Sequence, residues 1–579
     1  MLKKKVTLNQ SNRKTATQIC IIILSILGLM ICIAVLFPQV RQMILGLTEQ
    51  IMHREVLAYQ GWFKTLLSFA MGGICFILFF DYCTLTDSGR ALVHKVKQEI
   101  NDCLSEIDFR SLLKPVLIMS GVYLLGVLTI IRANFLYSDD LGRSVEGYRG
   151  WYNWSRYVSE FSSIFIHADT NLTDISPLPQ LLAILILSIS SVLFVYVMGD
   201  RKITVVRLLA SIPIGLSPFF LGCLSYKFDA PYMALSVLAS IIPFLFITRK
   251  RAFLFCSVVS LLIMCMTYQA ASGIYPLIVL MRCFQDWNSR KKPDKAILSF
   301  LGMATFAFCF AMILFKFFFA KSSELDEYYA STAIHPLPHM VSGTLSNLRD
   351  YMIFIWRDLG IIWKTGITLV LILFIIKSIH TTANKKTLSF FVSILVISLS
   401  FILSYGMYSL LTTPLYLPRC FCGFGIFLAI LCVYVVSNYK KIAIVTVLAL
   451  NWSLLVFAFS YGNALADQAR YEDFRIGILL HDLSTLYPNQ SVRMQLENSI
   501  DYAPSIKNIS KHYPVIERLI FKRLEAGRYW GWYYLRHFNY DQNQYETSDF
   551  GLLDLPVVLD SYYHTIKSDG TCCLVILKH

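Results

Sequence analysis

The sequence predicts an all-α polytopic membrane protein of about thirteen spans, with a small C-terminal α/β domain outside the membrane. Of its 579 residues, 56% are hydrophobic and 15% charged, where a soluble domain carries about 25% charged residues. Mean hydropathy is +0.56. Apolar runs recur along most of the chain, at about the length that crosses a hydrocarbon core of roughly 30 Å. They are long and do not alternate, which favours helices over the strands of a barrel.

In order, the spans are expected near 17–37, 62–82, 114–131, 178–198, 204–222, 231–248, 253–269, 272–283, 297–320, 363–379, 388–411, 420–437 and 442–461. The first lacks a small-residue cleavage site before Phe37-Pro38 and is longer than a signal core, so it reads as an uncleaved anchor. The eighth is short and carries Gly273 and Pro276, which makes it a broken span or a re-entrant partner of the seventh. No internal repeat of the transporter kind is visible by eye.

Orientation follows from the cations. With the N-terminus in the cytoplasm, Lys3-Lys4-Lys5, Arg201-Lys202, Arg249-Lys250-Arg251, Arg290-Lys291-Lys292, Lys385-Lys386 and Lys440-Lys441 all fall inside. The short outer connections are poor in them, with Lys227 and Arg419 nearly alone in theirs. The net charge of +15 is therefore read as a topology signal and not as a nucleic-acid footprint. This topology leaves three sizeable outer segments: the loops 132–177 and 321–362, and the tail after Tyr461. The expected organisation is a two-span extension (1–110), a transmembrane core (111–461) and a C-terminal extracytoplasmic domain (462–579). The inner loops are too short for a nucleotide-binding fold, and neither a P-loop nor a dinucleotide fingerprint is in place. Most of the fifteen cysteines sit inside spans as small apolar residues, and Cys572-Cys573 lacks zinc-site spacing.

Chemistry concentrates in the first outer loop, in the run Asn134-Phe-Leu-Tyr-Ser-Asp139-Asp140-Leu-Gly-Arg143. On a helix starting there, Asp139 and Arg143 lie one turn apart and can pair. A carboxylate so placed can orient an acceptor hydroxyl and take its proton. Arg143, Lys227 or Arg419 can hold a lipid phosphate at the bilayer surface. Tyr148, Trp151, Tyr152 and Trp154 offer faces for sugar rings. Structural readings stand beside these: Ser138-Asp139-Asp140 is also a good helix N-terminus, the aromatics suit an interfacial belt, and Lys227 and Arg419 suit span ends.

Several ordered stretches carry a family likeness. They are Ser138-Asp-Asp-Leu-Gly-Arg143-Ser with Gly147-Tyr-Arg-Gly-Trp151, Thr173-Asp174-Ile-Ser-Pro177-Leu-Pro-Gln180, and Ser217-Pro-Phe-Phe220 with Leu224-Ser225-Tyr226-Lys227-Phe228-Asp229. Tyr268-Gln269-Ala270, Pro418-Arg419, Tyr461-Gly-Asn463, Gln468 and Tyr471-Glu472 follow. In these the chain resembles the type II serotype-converting glucosyltransferases, polytopic enzymes that decorate O-antigen, over roughly Ala133 to the end. The resemblance implies a GT-C-like helical bundle with its site at the outer face of the bacterial inner membrane and the C-terminal domain in the periplasm. It implies transfer of glucose or another hexose, with inversion, from a polyprenyl-phosphate-sugar such as undecaprenyl-phosphate-glucose to a surface polysaccharide of the lipopolysaccharide kind. A separate donor-synthesising enzyme and a donor flippase are the implied partners.

On this reading the general base is Asp139 or Asp140, with a slight preference for Asp140. Arg143, Lys227 and Arg419 take the donor phosphate. Tyr148, Trp151, Asp174, Gln180, Tyr226, Asp229, Tyr268 and Gln269 are assigned to sugar and acceptor. No cofactor is assigned; the paired aspartates admit Mg²⁺ or Mn²⁺ through a thin two-carboxylate shell. A lipid-linked glycan flippase, which calls for buried charges and a repeat, and a polysaccharide polymerase or ligase are the alternatives.

Overall fold

The computed structural model describes residues 82, 84, 86–290, 295–320, 333–437, 440–488, 492–540 and 554–578. Apart from Tyr82, the expected spans 17–37 and 62–82 lie outside them. Seven described helices are long and apolar enough to cross a membrane: Phe109–Ala133, Leu178–Met198, Lys295–Phe319, Ile361–Thr381, Lys386–Leu403, Pro418–Val436 and Lys441–Leu486. They correspond to the expected spans 114–131, 178–198, 297–320, 363–379, 388–411, 420–437 and 442–461.

The other four expected spans within the described residues are not single helices of membrane-crossing length. The one at 204–222 is broken: Val205–Leu216 and Pro218–Leu224 meet at 63°. Ser217 leaves the helical region at ψ 145°, as a residue before proline is pushed to do, and its hydroxyl caps the Phe220 amide at 3.3 Å. Those at 231–248, 253–269 and 272–283 become the shorter helices Ala230–Ile241, Lys250–Cys265 and Ile274–Ser289. Ala230–Ile241 has 12 residues, a rise of about 18 Å, and almost all of it is buried inside the molecule. An all-round apolar helix reads the same whether protein or lipid surrounds it.

The bundle closes around Cys422–Val436, every residue of which is buried. The long helix Lys441–Leu486 runs along Phe109–Ala133. Contact is close because Gly462 lies against Thr129, where a Cβ would come within 2.3 Å of the threonine hydroxyl oxygen. At 46 residues, or about 69 Å, this helix outruns any hydrocarbon core and becomes the stem of the C-terminal part.

There a four-stranded sheet forms in the order β1-β4-β3-β2. β1 (Arg493–Glu497) runs parallel to β4 (Cys572–Leu577). β3 (His564–Ser568) is antiparallel to both β4 and β2 (Val557–Asp560). Its apolar core takes Ile476, Leu479 and Leu483 from the stem and, from far upstream, Leu136 and Leu141. Phe135 and Tyr137 enter the bundle core instead. The acidic run is thus sewn between two cores by residues that alternate between them.

Candidate active site

The Phe109–Ala133 helix stops at Asn134, whose left-handed backbone (φ 49°, ψ 32°) ends it. A short extended stretch follows, and the helix Asp139–Glu146 begins after Ser138, held at φ 50° and ψ −110°. A non-glycine residue there is strained. The partner that fixes it is Asp140, whose Oδ2 accepts from the amides of Tyr137 at 3.2 Å and Lys227 at 2.9 Å. Asp140 therefore fastens the acidic turn to the segment after the broken helix pair. It is completely buried, and its Oδ1 has no partner. Burial pushes its carboxyl up to about 8; the two amides and Arg143 oppose the rise, while the nearby Asp229 charge adds to it. Its neighbour Asp139 is only half-buried and accepts from Ser138 Oγ at 3.3 Å.

Arg143 does not pair with Asp139. Its guanidinium is buried, donates to Asp229 Oδ2 and lies 4.3 Å over the Trp151 ring. The indole Nε1 of Trp151 donates to the other oxygen of Asp229 at 2.5 Å. Trp151 is wholly buried, so its ring serves this inner triad and presents no face to a sugar. Lys227 is also buried and pairs with Asp174 at 2.8 Å. Asp174 accepts the Ser176 amide at 2.9 Å, and Ser176 donates to the buried Gln180 at 3.2 Å. Two of the three expected phosphate ligands, Arg143 and Lys227, are thus already neutralised by carboxylates.

Arg419 is different. It donates to the Tyr226 hydroxyl and packs 5.2 Å from that ring, and no carboxylate pairs with it among the described residues. Its carbonyl accepts from the buried Tyr268 at 3.1 Å. Arg156 lies 5.0 Å over the Tyr268 ring, with Nε donating to Gln269 Oε1 at 3.3 Å. Gln269 in turn donates to the Trp154 carbonyl at 3.0 Å. Arg156 also lacks a carboxylate partner among the described residues. Beside it, Tyr157, Val158, Phe161, Ser162, Met266 and Phe319 line an apolar cavity of about 440 Å³.

The expected residues thus fall into sets: Asp140, Lys227, Asp174 and Gln180; Arg143, Trp151 and Asp229; and Arg419, Tyr226 and Tyr268, with Gln269 joined through Arg156. Asp139 stands at the start of the acidic helix and Tyr148 lies over Gly142 within it. Sequence reasoning missed Arg156, which the first loop does not distinguish from Arg149, and Tyr533, which lies across the acidic helix from the C-terminal part. Only the aromatic run Tyr529-Trp-Gly-Trp-Tyr-Tyr534 hinted at the latter. The Asp139–Asp140 pair does not fit a Mg²⁺ or Mn²⁺ shell. Asp140 is committed to two amides, the next carboxylate, Asp229, is committed to Arg143 and Trp151, and divalent ions want six or more oxygens.

Comparison with known proteins adds the following. The family described as glucosyl transferase GtrII matches residues 128–421, which span the acidic turn through Arg419. An uncharacterized 55.3 kDa protein in the gtrB 5′ region of Salmonella phage P22 is 26% identical over 429 residues, covering 71% of this chain and 87% of that protein. No solved structure matches the chain.

Proposed function

The chain belongs to the GtrII glucosyl transferase family, and from that premise we propose that it moves a hexose, glucose by family, from a polyprenyl-phosphate-sugar to a surface glycan of the O-antigen kind. The reaction is a single displacement. Asp139 takes the proton of the acceptor hydroxyl, whose oxygen bonds to the anomeric carbon. The bond from that carbon to the phosphate oxygen breaks, and its electron pair leaves with the lipid phosphate. Anomeric configuration inverts, because retention by double displacement needs a second carboxylate free to act as nucleophile. Asp140 and Asp229 are buried and committed elsewhere.

One observation carries this reading, two arginines with no carboxylate partner among the described residues: Arg419, whose guanidinium donates to Tyr226 against Tyr137 of the acidic run, and Arg156, which lies over the Tyr268 ring next to the apolar cavity. Two unneutralised guanidinium groups suit a lipid phosphate that gains charge as the sugar leaves, and the cavity suits the first isoprene units of its tail. Asp139 is preferred over Asp140 as base because it is the one that solvent and an acceptor can reach. The GT-C-like bundle, the inner-membrane location, the cytoplasmic N-terminus and the periplasmic C-terminal domain (462–579) are part of the same proposal, supported by the cation bias along the chain. So are the 1–110 extension and the 111–461 core.

The test is transfer by purified protein in nanodiscs, with labelled polyprenyl-phosphate-glucose and the O-polysaccharide of the host. Label appearing on the glycan, and its loss in Asp139→Asn by roughly a hundredfold or more, is expected. No label on any glycan from wild type, together with movement of the donor between leaflets by the same protein in sealed vesicles, overturns the reading in favour of a flippase.

A further inference from the structure

A second surface reaches the acidic helix from the far end of the chain. Asp139, Gly142 and Glu146 share one face of Asp139–Glu146 by their spacing. The helix Trp530–His537 covers that face. Its Tyr533 hydroxyl donates to Glu146 Oε2 at 3.1 Å, and Arg536 pairs with Glu146 Oε1 at 2.6 Å. A Cβ on Gly142 would stand 2.7 Å from the Tyr148 hydroxyl oxygen and 3.0 Å from the Tyr533 ring. The missing side chain is what allows the two tyrosines to approach over the helix, with ring centroids 6.5 Å apart. Tyr529 continues the row 6.2 Å from Tyr533 and is 54% exposed.

We propose that Tyr148, Tyr533 and Tyr529 form the platform on which the acceptor glycan lies, so that the C-terminal part selects the acceptor. The proposal rests on the transferase reading above and adds the seat of the acceptor to it. Pyranose rings present C–H faces that pack on aromatic rings, and their hydroxyls bond to charged groups at the rim, here Glu146 and Arg536. The row begins one helical turn from Asp139 and runs outward. The sugar to be modified rests on Tyr148, within reach of the base, and its neighbours in the glycan rest on Tyr533 and Tyr529. Of the aromatics in the first loop, Trp151 is closed off inside the protein, whereas Tyr148 lies over the acidic helix next to Tyr533.

The experiment uses the full-length protein in nanodiscs and two variants at one position. Tyr533→Leu keeps apolar packing and removes the ring face; Tyr533→Phe keeps the face and removes the hydrogen bond to Glu146. The probe is an oligosaccharide released by mild acid from host O-polysaccharide, followed by saturation-transfer NMR and, separately, by transfer kinetics. Expected are saturation of sugar ring protons by wild type and by Tyr533→Phe, and its loss in Tyr533→Leu. The acceptor KM is expected to rise about tenfold in Tyr533→Leu while the donor KM stays within twofold. Equal behaviour of wild type and Tyr533→Leu overturns the platform. So does a Tyr533→Phe variant as impaired as Tyr533→Leu, because the tyrosine would then act only through Glu146. Saturation without any transfer by wild type keeps the platform and removes the transferase reading; transfer without saturation does the reverse.

Discussion

Two adjacent aspartates with opposite surroundings are the main residue-scale feature. Asp140 is closed in and bonded to two amides, whereas Asp139 is half-exposed at the first turn of the helix. Their amide variants are therefore expected to separate. Asp139→Asn loses transfer by roughly a hundredfold or more with little change in Tm. Asp140→Asn keeps an acceptor for both amides and retains much of the activity, while its stability profile changes. The folded-state value of Asp140, about 8, lies above its ordinary 3.8, so the native protein holds a proton that the unfolded chain releases. Stability from this group is present at low pH and lost as pH rises from about 4 toward about 8. Tm measured in detergent should fall across that window in wild type more steeply than in Asp140→Asn; parallel profiles would falsify the assignment. The cations divide in the same way. Arg156→Gln and Arg419→Gln are expected to reduce kcat/KM for the donor by about a hundredfold each, the usual loss on removing a transition-state charge partner. Removing Lys227, already paired with Asp174, acts mainly on folding.

The acidic helix is legible in the sequence as an element, and what it touches is not. Ser138-Asp139-Asp140 marks a helix start and Gly147 its left-handed stop (φ 70°), both readable from residue type. The expected pairing of Asp139 with Arg143 followed from local spacing alone, and a buried partner 86 residues away took Arg143 instead. Gly142 shows the same limit: within an eight-residue helix it looks like a weak point, and its purpose appears only when Tyr148 and Tyr533 arrive from elsewhere. Gly142→Val is expected to keep the helix and displace both rings, since the contacts a Cβ would make are at 2.7 to 3.0 Å. Acceptor KM should rise at least as far as in Tyr533→Leu, with an unchanged far-UV spectrum and donor KM. An unchanged acceptor KM would show that the two rings yield without consequence. The short helices within the expected spans belong here as well, because period and hydropathy report apolar surroundings and not whether lipid or protein supplies them.

At the scale of the whole molecule, the C-terminal part is clamped to the bundle around the acidic run. Glu472 on the stem pairs with Arg523 at 2.5 Å, both buried, and Arg523 lies 4.8 Å over Phe135 and 4.2 Å over Tyr534. Gln468 joins the same cluster, donating to Glu472 at 2.9 Å and accepting the Ala503 amide at 2.8 Å. Gln468 and Glu472 stood out in the sequence as parts of a family pattern, and in the structure they tie the stem to the Arg523 and Ala503 segments. Leu136 and Leu141 in one core and Phe135 and Tyr137 in the other mean that the turn bearing Asp139 is positioned by both. Loosening the clamp should therefore reach the active site without touching it. Glu472→Gln leaves the buried Arg523 with Asp473, at 3.1 Å, as its remaining charge partner, and is expected to cost part of the about 3–5 kcal/mol lost when a buried pair is broken. Glu472→Leu with Arg523→Met removes both buried charges and is expected to recover part of that stability, since apolar replacements of such pairs are often neutral. If the clamp positions the turn, the single variant loses kcat and becomes more sensitive to proteolysis, and the double variant regains both. A double variant that regains stability but not kcat would instead give Arg523 a direct part in the reaction, through its contact with Phe135.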